Sequence, residues 1–237
     1  MSVTALATNA PVAARLVFMD LDGTLVDTAP DLTDAVNRML ADMGRTPYED
    51  STVSRWIGNG VRRLVKRALT GTMDGEPDDD LFDRGYDLFL GHYGRHLADR
   101  GTAFPGAENT LAQLRASGFR LVCITNKAAA FTLPLLDLLD LRRYFDLVLS
   151  GDTLPRCKPD PLPLLHACSE FGVAPGEAVL VGDSESDVRA ARAAGAGIIC
   201  VRYGYNQGID LVELAPDFLI DRLSELPECL SHPPGAH

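Results

Sequence analysis

Apolar and polar positions follow two different regimes along this chain. From about residue 104 onward, short apolar runs of strand length alternate with stretches whose apolar residues recur at helical spacing. Strands are predicted at residues 119–124, 147–149, 178–181, 198–201 and 217–220. Helices are predicted between them, up to residue 117 and over 128–139, 161–171 and 185–194. One more strand-like run, residues 15–19, stands near the amino end. Strands alternating with helices imply βαβ units and a parallel sheet. Residues 28–102 carry no strand pattern. Helices are predicted there at 31–43, with Leu32, Val36, Met39, Leu40 and Met43 on one face, at 61–69, and at 80–97. Gly85, Gly91 and Gly94 weaken the last of these, and residues 71–80 read as polar loop.

The expected fold is α/β: a doubly wound parallel sheet with an all-helical insert directly after the first strand. Residues 12–28 and 104–230 would form the core, and 29–103 the insert. The linkers Thr28-Ala29-Pro30 and Phe104-Pro105-Gly106 would lie side by side, an arrangement that can serve as a hinge. Residues 1–11 and 231–237 are expected to fray.

Composition narrows the function. The chain has 237 residues, 46% hydrophobic and 23% charged, as expected for a core-forming globular protein. Its net charge of −11 argues against nucleic acid or an anionic membrane as partner. No apolar run approaches the roughly 18 residues of a membrane span. Residues 1–14 show no secretory-leader pattern. The five cysteines include no Cys-x-x-Cys pair, which suggests reduced thiols and a cytoplasmic location.

The candidate chemistry lies where the strands end. The first strand runs into Asp20-Leu21-Asp22-Gly23-Thr24. The next runs into Thr125-Asn126. The strand at 147–149 is followed by Lys158-Pro159, and that at 178–181 by Gly182-Asp183-Ser184-Glu185-Ser186-Asp187. In an open parallel sheet these carboxyl ends share one edge, where ligands bind. Asp20 and Asp22 are close enough that a cation or contrasting environments must separate their charges. Mg²⁺, a hard cation with oxygen ligands, fits, and Asp183 and Asp187 could complete its shell. Gly23 permits a tight turn, Thr125 and nearby amides suit phosphoryl oxygens, and Lys158 adds a point charge. Each motif alone is more often a turn or a cap. Their conjunction, in this order, is hard to reach by chance.

The four motifs resemble those of the haloacid dehalogenase superfamily over nearly the whole chain. The resemblance implies an aspartate nucleophile, Asp20, that forms an aspartyl-phosphate. It implies that Asp22 protonates the leaving oxygen and then activates water. It also implies Mg²⁺ held by Asp20, the Asp22 carbonyl and Asp183, with Asp187 further out. Thr125, Asn126, Lys158 and Gly23 would handle the phosphate. The insert resembles the family's small cap, which implies a small phosphate ester as partner. In the cap, Trp56-Ile57-Gly58-Asn59-Gly60-Val61-Arg62-Arg63-Leu64-Val65-Lys66-Arg67 places glycines and basic residues at a helix start. Gly58, Asn59, Gly60 and Arg63 are thus candidates for a second anionic group, such as a carboxylate. A solvated basic face is the competing reading of the four cations. Together with Asp27-Thr28-Ala29-Pro30-Asp31-Leu32 and Tyr203-Gly204-Tyr205-Asn206, the segment narrows the resemblance to members acting on 2-phosphoglycolate. Relatives acting on sugar or amino-sugar phosphates or pyrophosphate, sugar-phosphate mutases, and a non-catalytic binding module are the alternatives. His92 and His96, one turn apart, read as cap surface rather than as metal ligands, and Trp56 as a cap-core residue.

Overall fold

The computed structural model describes residues 10–234. Strands β1 (Val12–Ala13), β2 (Leu16–Met19) and β3 (Val26–Asp27) come first. Helices α1 (Ala29–Asp42), α2 (Asp50–Ser54), α3 (Val61–Thr70) and α4 (Asp79–Arg95) follow, then β4 (Thr102–Ala103). The remainder alternates: α5 (Ala107–Ala116), β5 (Arg120–Ile124), α6 (Ala129–Leu138), β6 (Leu147–Leu149), α7 (Leu162–Phe171), β7 (Ala178–Gly182), α8 (Glu185–Ala194), β8 (Gly197–Val201), β9 (Phe218–Ile220) and β10 (Leu230–Ser231).

Six strands form one parallel sheet in the order β6-β5-β2-β7-β8-β9. The order reverses at β2, whose Phe18 lies opposite Val122 of β5 and Leu180 of β7. The loops leaving β2, β5 and β7 therefore open onto one crevice, the switch point of such sheets. Helices cover both faces, so the strands read as continuous apolar runs rather than alternating ones. Val17, Met19, Leu121, Val179 and Ile199 pack on one face with Leu111, Leu135 and Leu136. Leu16, Phe18, Val122, Leu180 and Ile198 pack on the other with Leu164, Ala167, Val188 and Ala191.

Helices α1 to α4 bury a third apolar cluster. Leu32, Val36, Met39 and Leu40 of α1 meet Val53, Leu64, Val65, Phe82, Phe89 and Tyr93, and Met43 packs at its edge. Helix α4 is unbroken despite its glycines. At Gly85 a Cβ would stand 3.0 Å from Leu69 Cδ1, so the missing side chain lets α3 and α4 approach.

The structure differs from the sequence expectation in three places. The strand-free reading of residues 28–102 overlooks β4, which pairs antiparallel with β3. The two crossings to the cap thus form a short ribbon, with two residues per strand, too few for periodicity to show. Helix α2, five residues long, also escapes the pattern. Ser231 is not frayed: it pairs with Ala13, and Ala14 N–H donates to its carbonyl at 2.8 Å. His232 stacks on Phe119 with ring centroids 4.3 Å apart. Residues 1–9 and 235–237 lie outside the described residues. Among the described residues no helix is long and apolar enough to cross a membrane.

Candidate active site

Asp183 directly follows β7 and sits in a closely fitted recess. Thr24 Oγ1 donates to its Oδ1 at 2.8 Å, and Tyr205 N–H donates to its Oδ2 at 2.5 Å. Two glycines make room for it. Gly23 has φ +86°, and a Cβ there would lie 2.4 Å from Asp183 Oδ2. A Cβ on Gly204 would lie 2.2 Å from Asp183 Cβ. Neither position accepts a side chain without displacing the carboxylate.

Asp20 leaves β2 beside it. Lys158 Nζ lies 2.8 Å from Asp20 Oδ1 and 2.6 Å from Asp187 Oδ1. The other Asp187 oxygen accepts from Ser184 N–H and Oγ, closing the capping box of α8. Both Asp187 oxygens are therefore already engaged, which suits a residue that orients Lys158. Carboxylate oxygens of Asp20, Asp183 and Asp187 nevertheless lie within 4.8 Å of one another. Burial raises the Asp20 pKa to about 7, against the opposing pull of Lys158. Burial, then Asp20 and Asp187, raise Asp183 well above the carboxylate range. Burial alone would lower Lys158, but Asp187 and Asp20 outweigh it and the ammonium is stabilised.

Asn126 Nδ2 donates to the Lys158 carbonyl at 2.9 Å and so ties the second and third loops together. Thr125 Oγ1 accepts from Lys127 N–H at 3.2 Å. Asp22 has partners of its own, different from those of Asp20. Its Oδ1 accepts from Thr28 Oγ1 at 2.7 Å and from Lys127 Nζ at 2.9 Å.

Lys127 is the site residue that motif reading missed. It follows Thr125-Asn126 directly, and that adjacency was the available signal. Its burial, to 3% exposure, was not readable, because it depends on Tyr93 of α4, whose ring centroid is 4.7 Å from Nζ. Burial pulls the Lys127 pKa down, but Asp22 and Tyr93 together raise it.

These groups line one cavity. The core contributes Asp20, Asp22, Thr125, Asn126, Lys127, Lys158, Asp183, Ser184 and Ser186. The cap contributes Leu32, Ile57, Gly58, Gly60, Val61 and Leu64. The cap wall is thus apolar, and the expectation for Arg63 does not match its placement. Helix α3 turns Val61 and Leu64 to the cavity, which carries its cations elsewhere. Arg63 pairs with Asp74 at 3.0 Å and Glu76 at 2.6 Å, and Lys66 pairs with Glu76. Arg62 lies over the rings of Phe82 and Tyr86. Arg67 is buried and donates to the Trp56 and Met73 carbonyls and to Asn59 Oδ1. The Asn59 side chain is held by Arg67 and Gln207 and does not line the cavity. Gly58 and Gly60, with φ of +122° and +80°, do line it. His92 meets Asp42, and His96 lies between Arg38 and Asp99, all on the cap surface. Trp56 is buried edge-on to Tyr48.

The donor set suits a divalent cation. Among the described residues, four carboxylates, Asp20, Asp22, Asp183 and Asp187, face two ammonium groups, those of Lys127 and Lys158. Buried negative charge in excess is costly unless paired, and an all-oxygen cluster favours a hard cation.

Comparison with known proteins agrees with this arrangement. Residues 14–195 match the family model described as haloacid dehalogenase-like hydrolase. A phosphoglycolate phosphatase of Nitrosospira multiformis is 52% identical over 91% of this chain and 95% of its own. One from Nitrosococcus oceani is 48% identical over 92% and 96%. The crystal structure of a predicted phosphoglycolate phosphatase from Haemophilus somnus superposes with a TM-score of 0.86 at 33% identity, over 91% of this chain and 97% of that one.

Proposed function

The chain belongs to the haloacid dehalogenase-like hydrolases and is a phosphoric monoester hydrolase; we propose that it hydrolyses 2-phosphoglycolate to glycolate and phosphate through a phosphorylated Asp20, with Mg²⁺ as cofactor. The observation that carries this reading is the meeting of Asp20, Asp22, Thr125, Lys158 and Asp183 in one cavity under an apolar cap wall. The names of the close relatives supply the substrate.

Each residue has a task that its surroundings suit. An Asp20 oxygen attacks phosphorus, and the bond to the ester oxygen breaks as the acyl phosphate forms. Asp22 gives a proton to the leaving glycolate oxygen. It later takes one from the water that attacks the acyl phosphate, releasing phosphate and restoring Asp20. Lys158 holds the Asp20 carboxylate in place and offers charge to the phosphoryl oxygens. The Thr125 hydroxyl and the side chain of Asn126 bound the phosphate from β5. Gly58 and Gly60 bring cap backbone against the substrate without side-chain bulk. Asp20, Asp183 and the Asp22 carbonyl would hold Mg²⁺, which when bound offsets negative charge between carboxylate and phosphate. The apolar wall of Leu32, Ile57, Val61 and Leu64 keeps bulk water from the reacting atoms and admits only a small ester.

The test is phosphate release, with and without Mg²⁺, from 2-phosphoglycolate beside sugar phosphates, pyrophosphate and nucleotides. A Mg²⁺-dependent kcat/KM for 2-phosphoglycolate well above the others is expected. Comparable values across the sugar phosphates would discard the substrate.

A further inference from the structure

We infer that Lys127 is the residue that selects for the carboxylate of the substrate, a specificity role that the cap cations do not fill. This rests on the reading of 2-phosphoglycolate as substrate. In that ester the carboxylate lies one carbon beyond the leaving oxygen. The group that protonates the leaving oxygen therefore marks the end of the cavity where the carboxylate must sit. That group is Asp22, and the ammonium 2.9 Å from its Oδ1 is Lys127.

Charge accounting points the same way. Two cationic side chains line the cavity among the described residues, Lys127 and Lys158. Lys158 is held between Asp20 and Asp187, at the phosphoryl end. The four basic residues at the start of α3 are all occupied within the cap: Arg63 and Lys66 by acidic residues, Arg62 by aromatic rings, Arg67 by carbonyls and Asn59. Lys127 is thus the cation at the leaving-group end. Its ammonium carries three N–H groups, of which Asp22 takes one. Tyr93 covers it from the cap side, and its side chain is 2% exposed, so an ion pair made there is shielded from solvent.

Because Lys127 also touches Asp22, its removal affects catalysis on any ester. The ratio of kcat/KM for 2-phosphoglycolate to that for 2-hydroxyethyl phosphate removes this common effect, since the second ester replaces the carboxylate by a neutral hydroxymethyl group. The experiment measures this ratio for the wild type, Lys127→Met, Lys127→Arg and Arg63→Ala. Lys127→Met should lower the ratio roughly 10- to 100-fold, the worth of one charge-assisted hydrogen bond. Lys127→Arg should retain most of the preference, and Arg63→Ala should leave it unchanged. Should Lys127→Met not fold, Lys127→Gln, which keeps a donor toward Asp22, reads out the same ratio. An unaltered ratio in the neutral variant, with both substrates slowed equally, would show that Lys127 acts only through Asp22 and would overturn the inference. A ratio that falls in Arg63→Ala instead would return selection to the cap. A wild type without preference for the carboxylated ester would overturn the substrate reading itself, and is recognised before any variant is made.

Discussion

Replacing Lys158 by methionine should expose how strongly the site depends on cations. The ammonium is buried and bridges Asp20 at 2.8 Å and Asp187 at 2.6 Å. Methionine fills the volume but leaves two carboxylates without their partner. Removing one member of a buried ion pair costs about 3–5 kcal/mol. For a chain of this length that is a fall in Tm of about 6–20 °C. Proton uptake limits the cost, and the direction follows from Asp20. Its pKa is raised from 3.8 to about 7 in the folded protein. The folded state therefore holds a proton that the unfolded chain has shed, and metal-free stability falls as pH rises from about 4 to 7. Without Lys158, which pulls the other way, Asp20 rises further and the decline continues above neutrality. Urea unfolding in EDTA, at pH 5 and pH 8, is the assay. The deficit of Lys158→Met against wild type should be larger at pH 8, and excess Mg²⁺ should stabilise both proteins. A deficit below about 1 kcal/mol at pH 8, or one independent of pH, would refute the reasoning about a charge-frustrated cluster.

Other substitutions probe the same frame. Asp183→Asn should raise the Mg²⁺ concentration for half-maximal phosphate release by more than about tenfold; an unchanged titration would place the metal elsewhere. Gly204→Ala puts a Cβ 2.2 Å from Asp183 Cβ and should cost about 1–3 kcal/mol in urea unfolding while weakening Mg²⁺ dependence; full stability would mean that the loop yields freely. Gln207 Nε2 donates to the Ile57 carbonyl at 2.6 Å and to Asn59 Oδ1 at 2.9 Å, joining a core loop to the cap. Gln207→Ala should raise KM about 3- to 10-fold with a smaller change in kcat, and an unaltered KM would remove it from cap positioning.

Residues whose surroundings are set by their own strand were legible in the sequence. The runs ending at Asp20, Thr125 and Asp183 are apolar because helices bury both faces of the sheet, and parallel pairing then forces their ends together. Residues whose surroundings come from distant segments were not legible. Arg63 looked available because spacing alone cannot tell which stripe of α3 faces the cavity, and the acidic loop at Asp74 and Glu76 folds back to claim it. Lys127 was not singled out, because nothing in its neighbourhood in the sequence announces that Tyr93 buries it. Turn spacing places Asp187 beside Asp183, and its carboxylate does lie within 4.8 Å of those of Asp20 and Asp183. Its contact with Lys158 was not legible, because it requires the position of the third loop. The Tyr205 hydroxyl, which meets Asp27 and the Ala29 N–H across the β3–β4 ribbon, stood in a quoted segment without an assigned task.

The measurement that tests the account most directly is chemical trapping during the first turnover. The enzyme with Mg²⁺ is mixed with 2-phosphoglycolate, quenched within milliseconds and reduced with borohydride, which converts an acyl phosphate to an alcohol. Peptide mass spectrometry should find residue 20 converted to homoserine, and phosphate release should cease in Asp20→Asn. Phosphate released at full rate with no adduct at residue 20, or an adduct on another carboxylate, would contradict the central role given to Asp20.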